Sequence, residues 1–144
     1  MSISNDSRSP GRDWRQIIGR KSLDDFAAAF TEDAVLDASV LKGPVEGPSG
    51  IRTVFSATAA MYEAIVFTHE TTKGPKTYLE WEGKALGGLA AAGVTVLTRN
   101  AAGKIESVRL MHRPLSMVLA FSAELARRLQ GKLDPELLNH QIYA

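Results

Sequence analysis

No cysteine occurs in the 144 residues, which excludes disulfides, thiolate nucleophiles and cysteine-held metals. Neither sign of charge dominates: 17 Lys and Arg stand against 16 Asp and Glu, a formal net charge of +1. That balance gives no electrostatic argument for nucleic acid or for an anionic membrane surface, so neither is expected as a partner. No apolar run approaches the roughly 18–20 residues of a spanning helix. The opening stretch MSISNDSRSPGRD is polar and lacks the apolar core of a secretory signal. A soluble, cytoplasmic chain is the expectation. Histidine is also scarce: the three present, His69, His112 and His140, are too dispersed for the i,i+4 pairing of a metal site. There is no nucleophile elbow, dinucleotide fingerprint or phosphate loop, since the Gly43 to Gly47 spacing lacks the Lys-Ser/Thr ending. No cofactor and no metal are expected.

What is present is ordinary for one globular domain, 44% hydrophobic and 23% charged. Residues 1–11 read as a disordered N-terminal tail, 12–131 as the domain and 132–144 as a C-terminal tail. The organising stretch is Gly93 to Leu115. It reads as two strands joined by Asn100-Ala101-Ala102-Gly103, where Gly103 supplies the positive φ of a bulged hairpin turn. Alternation sets Thr95 and Leu97 opposite Val94, Val96 and Thr98. It sets Val108, Leu110 and His112 opposite Ile105, Ser107, Arg109 and Met111. Apolar residues on both faces place this hairpin inside a sheet covered on both sides.

Before it, Asp13 to Arg20 reads as a short helix, and Ser22 as the N-cap of a second with Phe26, Ala27 and Phe30 on its buried stripe. Ala34 to Ala38 is the first strand, with Val35 and Asp37 sharing a face. Pro48-Ser49 opens a longer helix whose apolar positions Ile51, Val54, Phe55, Met61 and Tyr62 keep helical spacing. The period then changes to two over Ala64–Thr72, Thr77–Leu86, Gly88–Arg99 and Lys104–Arg113. After Pro114, an amphipathic helix over Leu115–Gln130 aligns Val118, Phe121, Leu125 and Leu129, and Gly131 ends it.

Helix, helix, strand, helix and then long antiparallel strands resembles the NTF2-like superfamily, and in particular its SnoaL-like branch. The stretches that carry the likeness are FAAAFTEDAVLDASVLKGPVEG (26–47), FTHE (67–70), GVTVLTRNAAGKI (93–105) and RPLSMVLAFSAEL (113–125), and it spans roughly residues 12 to 130. The resemblance implies an α+β fold of the cystatin-like barrel kind: a curved antiparallel sheet forming a cone, with three N-terminal helices and a C-terminal helix. It also implies an apolar cavity and a homodimer. Ketosteroid isomerase, a member of that superfamily, uses an aspartate base and an oxyanion hole of a tyrosine and a protonated aspartic acid. Carried over without gaps, its base position falls at Ala38 and its acid position at Thr95, and the first helix holds no tyrosine. Steroid isomerisation by that machinery is therefore not expected.

The candidate site residues follow from the faces. His112 ends the row expected to look into the cavity, where an imidazole serves as acid or orienting donor. Asp37 is the candidate base; the competing reading is a solvated rim position or a pair with Lys42. His69 is a candidate second polar group across from His112, against a surface or dimer-contact role. Phe30, Phe55, Tyr62 and Trp81 are the aromatic lining, which in a hollow fold is also core. Thr95 and Tyr62 would supply hydrogen bonds, and Leu97 and Leu110 share the cavity rows. The expected function is binding of a small apolar ligand, with cofactor-independent acid/base catalysis of isomerase, lyase or hydrolase type if Asp37 and His112 converge. The alternative is a non-catalytic ligand-binding, dimerisation or partner-docking module.

Overall fold

In the computed structural model, residues 14–15 and 27–139 are described. Trp14 and Arg15 are helical; the rest of the two helices expected before the first strand lies outside the described residues, apart from a 3-10 turn at Ala27–Ala29. Strand β1 (Phe30–Ala38) then begins four residues ahead of expectation, so Phe30 opens a strand and is not on a helical stripe. Threonine and valine between Phe30 and Ala38 favour the extended backbone.

After β1 come β2 (Val45–Glu46), α1 (Pro48–Met61), β3 (Tyr62–Lys73), β4 (Lys76–Ala85), β5 (Leu89–Arg99), β6 (Ile105–Arg113) and α2 (Leu115–Arg128). The Gly-flanked run Leu89-Ala90-Ala91-Ala92 is strand, as its glycines indicate. The β5–β6 turn is built as read. Gly103 takes φ 86°, and the Asn100 side-chain oxygen accepts from the N–H groups of Ala102 and Lys104, each at 3.0 Å.

The six strands form one curved sheet in the order β2-β1-β6-β5-β4-β3. The expectation of a wholly antiparallel sheet is corrected in one place: β1 runs parallel to β6, with Leu36 opposite Val108 and Ala38 opposite Leu110. Cross-strand partners share a face, so the inner face carries Leu36 and Ala38, Val108, Leu110 and His112, Thr95 and Leu97, and Leu79 and Trp81. Ile105 departs from the expected outer row. The ladder slips between Thr98 and Arg99, and again between Phe30 and Val35, which turns Ile105 inward to 1% exposure.

Both long helices cover the inner face. Helix α1 buries Ile51, Val54, Phe55 and Met61, each worth roughly 1.5–3 kcal/mol when removed from water. Helix α2 buries Met117, Phe121, Leu125 and Ala126. Its interior Ser122 is satisfied on both sides, donating to the Val40 carbonyl at 2.9 Å and accepting from Asn139 at 3.0 Å. The segment after Gly131, expected as a tail, holds the 3-10 turn Pro135–Leu137 and a buried Leu138. The Leu137 carbonyl accepts from the Lys42 N–H at 2.9 Å. Among the described residues, no helix is long and apolar enough to cross a membrane.

Candidate ligand-binding site

Trp81, Gly93 and His112 are directly paired neighbours on β4, β5 and β6, all facing inward. The middle position has no side chain, and that decides the geometry. A Cβ on Gly93 would lie 2.6 Å from the Trp81 ring and 2.5 Å from the Met111 carbonyl oxygen. Its absence lets the Trp81 ring meet His112 across the intervening strand, edge to face, with centroids 5.6 Å apart.

Two further rings complete the cluster. Tyr62, the first residue of β3, meets Trp81 edge-on at 5.8 Å and Phe121 of α2 at 5.0 Å. Phe121 stacks on His112 at 6.1 Å, with an interplanar angle of 29°. Phe121 itself is fully buried, whereas Tyr62, Leu110 and His112 stay partly accessible. Solvent therefore reaches the cluster on the Tyr62 and His112 side.

The aromatic surroundings act on both ionisable groups. Burial lowers the His112 pKa to about 4, so the imidazole is neutral at pH 7. Burial raises the Tyr62 pKa well above that of an ordinary phenol, so its hydroxyl stays protonated. His112 is also held by Ser39, which follows directly on the last residue of β1. The Ser39 hydroxyl oxygen accepts the His112 backbone N–H at 3.0 Å and lies 2.6 Å from His112 Nδ1.

The other predicted site residues are placed as follows. Asp37 lies on the outer face, 61% exposed, 3.8 Å from Arg109. The convergence with His112 that catalysis would require is not met: Leu36 and Ala38 take the two inward positions, and alternation sends Asp37 the other way. His69 is also outside, 76% exposed and 3.1 Å from Glu80, because a register shift between Phe67 and His69 puts His69 opposite Glu80. Phe30 and Phe55 are inside but join a second aromatic group, contacting the Trp14 ring edge-on at 6.4 and 5.5 Å. Thr95 and Leu97 form the fully buried floor of β5. Of the ten predicted residues, Tyr62, Trp81 and His112 belong to the cluster, Trp81 buried and the other two partly accessible, with Leu110 on the neighbouring inward row.

Sequence reasoning missed two participants. Phe121 was legible only as part of the α2 stripe. Ser39 is 73 residues from His112, and no local pattern marks it. The positions Ala38 and Thr95, reached by carry-over from ketosteroid isomerase, do face inward, but neither carries an acid.

A separate groove of about 610 Å³ lies between α1 and the end of α2, lined by Arg52, Arg128, Lys132 and small hydroxyl side chains. Its Arg128 is engaged by Glu124 at 2.7 Å. This groove borders none of the aromatic cluster.

A SnoaL-like domain is matched over residues 12–108. The chain belongs to the SnoaL-like family. Solved structures agree with this SnoaL-like assignment at the level of the fold. A steroid delta-isomerase from Pseudomonas aeruginosa is similar with TM-score 0.77 and 21% identity, over 85% of this chain and 90% of that one. An uncharacterized protein with a cystatin-like fold from Silicibacter pomeroyi gives TM-score 0.76 and 19% identity, over 82% and 83%. A protein with a ketosteroid isomerase-like fold from Catenulispora acidiphila, in complex with trimethylamine, gives 0.64 and 20%, over 78% and 91%. No curated protein matches the sequence.

Proposed function

We propose that this SnoaL-like chain binds a small, largely apolar, ring-bearing molecule at the partly accessible Tyr62 and Leu110, over the buried rings of Trp81 and Phe121, with His112 as a neutral hydrogen-bonding anchor. The observation that carries the proposal is the cluster itself: the His112 imidazole and three aromatic rings in a closed cycle of contacts, each ring meeting two others, reached by solvent from one side. Aromatic walls with a few placed polar groups are how small-molecule sites are built. One similar structure is named for a steroid isomerase, whose name points to a ring-bearing substrate of this class.

Binding without turnover is the better reading. An effective general base has a pKa near the working pH, and His112 is held at about 4. Asp37, on the opposite face, cannot assist it.

The test uses the two tryptophans. Trp14→Phe leaves Trp81 as the sole indole. Saturable quenching of Trp81 by fused-ring ketones, steroids among them, is the expected result. His112→Ala should weaken it roughly 2- to 12-fold, the worth of one hydrogen bond of about 0.5–1.5 kcal/mol. No saturable quenching by any of these, in a variant with native circular dichroism, would sink the proposal.

We also propose that two copies pair through the sheet's outer face. Val66, Tyr78 and Met111 are exposed there, at 61, 41 and 44%. Glu82 of β4 and Arg113 of β6 flank Ala92 in one cross-strand row, and Tyr78 and Arg109 flank Val96 in another. A two-fold axis along β5 would lay each glutamate over the second copy's arginine and each tyrosine under a guanidinium. Sedimentation at micromolar concentration should show a dimer that Met111→Glu dissociates. A wild-type monomer at every concentration would overturn this pairing.

A further inference from the structure

Ser39 makes two contacts with one residue 73 positions away, and they bear on which nitrogen of His112 carries the proton. The backbone N–H of His112 can only donate, so the Ser39 oxygen accepts it. The hydroxyl has one hydrogen left to place. Its distance to Nδ1, 2.6 Å, fits an O–H donor, whose bonds run shorter than the roughly 2.9–3.0 Å usual for N–H donors. An oxygen that accepts one bond and donates another is also polarised favourably by the pair. With Nδ1 accepting, the single proton of the neutral ring resides on Nε2. Among the described residues Nε2 has no hydrogen-bond partner, and as the distal ring nitrogen it extends furthest from β6 into the aromatic layer.

Resting on the binding proposal above, we infer that Ser39 is a positioning residue that locks His112 in the Nε2–H form, so that the site selects ligands presenting a hydrogen-bond acceptor. A ketone or ether oxygen would satisfy Nε2–H. A ligand whose polar group can only donate would meet a donor head-on and leave both unsatisfied. Ring-stacking supplies affinity in this arrangement, and the Ser39–His112 pair supplies the polarity rule.

The tautomer can be read without any ligand, which separates failure of this inference from failure of the binding proposal. Nitrogen-15 NMR of histidine-labelled full-length chain at pH 7 should show His112 with Nε2 protonated and Nδ1 bare. Ser39→Ala should convert it to a mixture of tautomers, and Ser39→Thr, which keeps the hydroxyl, should restore the single form. In the binding arm, Ser39→Ala should weaken a fused-ring ketone several-fold while leaving the parent hydrocarbon within a factor of two. Circular dichroism of each variant checks that the fold is kept. Nδ1 protonated in the wild type, or an unchanged tautomer in folded Ser39→Ala, would overturn the inference even if ligands bind.

Discussion

Replacing Gly93 by alanine tests the site at the position that lets it exist. The backbone there is ordinary strand, since Gly93 is absent from the positive-φ glycines, so any cost comes from space alone. The added methyl would stand 2.6 Å from Trp81 Cζ2, against about 3.5–4.0 Å for carbons in favourable contact. The indole must therefore retreat by about 1 Å. Trp81 is 4% exposed. Overpacking of this kind costs about 1–3 kcal/mol, and losing the edge contact with His112 adds about 0.5–1.5 kcal/mol. The stiffer unfolded chain returns about 0.4–1 kcal/mol. A net loss of about 0.5–4 kcal/mol is expected, measured by urea unfolding. In a Trp81→Leu background the clash with the ring is gone while the 2.5 Å approach to the Met111 carbonyl oxygen remains, so the same substitution should cost less without becoming neutral. A loss under about 0.5 kcal/mol, or an equal loss in both backgrounds, would refute the account of Gly93 as the space for Trp81.

Stability should depend on pH through His112. Its folded pKa of about 4 lies below the unfolded value of about 6.5. The folded state thus binds fewer protons between these values. Its contribution is complete above pH 6.5 and lost as pH falls towards 4, by up to about 3 kcal/mol; His112→Gln should flatten this slope in urea unfolding measured across pH 4–7. Phe55→Ala, which removes the ring packed on Trp14 at 5.5 Å, should cost about 3–5 kcal/mol. Arg128→Ala breaks only a surface pair with Glu124 and should cost at most about 1 kcal/mol in the same thermal or urea assay.

The hairpin of β5 and β6 was readable because strict alternation with apolar residues on both arms admits one assignment of faces. Thr95, Leu97, Val108, Leu110 and His112 all point as the pattern requires. Ile105 escaped the pattern because a ladder slip reverses parity, and slips leave no compositional mark. Asp37 was grouped correctly with Val35. Which of the two strand faces looked inward depended on pairing with β6, a contact no local window contains. Phe30 was misjudged because alanines on its N-terminal side suit a helix, while the sheet beyond offers a better burial. Ser39 was invisible for the simplest reason, since its significance lies wholly in a partner far along the chain.

The place of β1 between β2 and β6 has a consequence for how the molecule is made on the ribosome. Ser39 leaves the exit tunnel long before His112, 73 residues later, which at about 5–20 residues per second is a wait of roughly 4–15 s. Through that interval the hairpins of β3, β4 and β5 can zip locally, and α1 can fold back on β1, but the only strand available to pair with β1 is the two-residue β2. Its open edge, where β6 will pair, is then a site for wrong partners. The last strand to be synthesised is thus the one that shelters the first, and a stall in translation between β5 and β6 would lengthen the hazard.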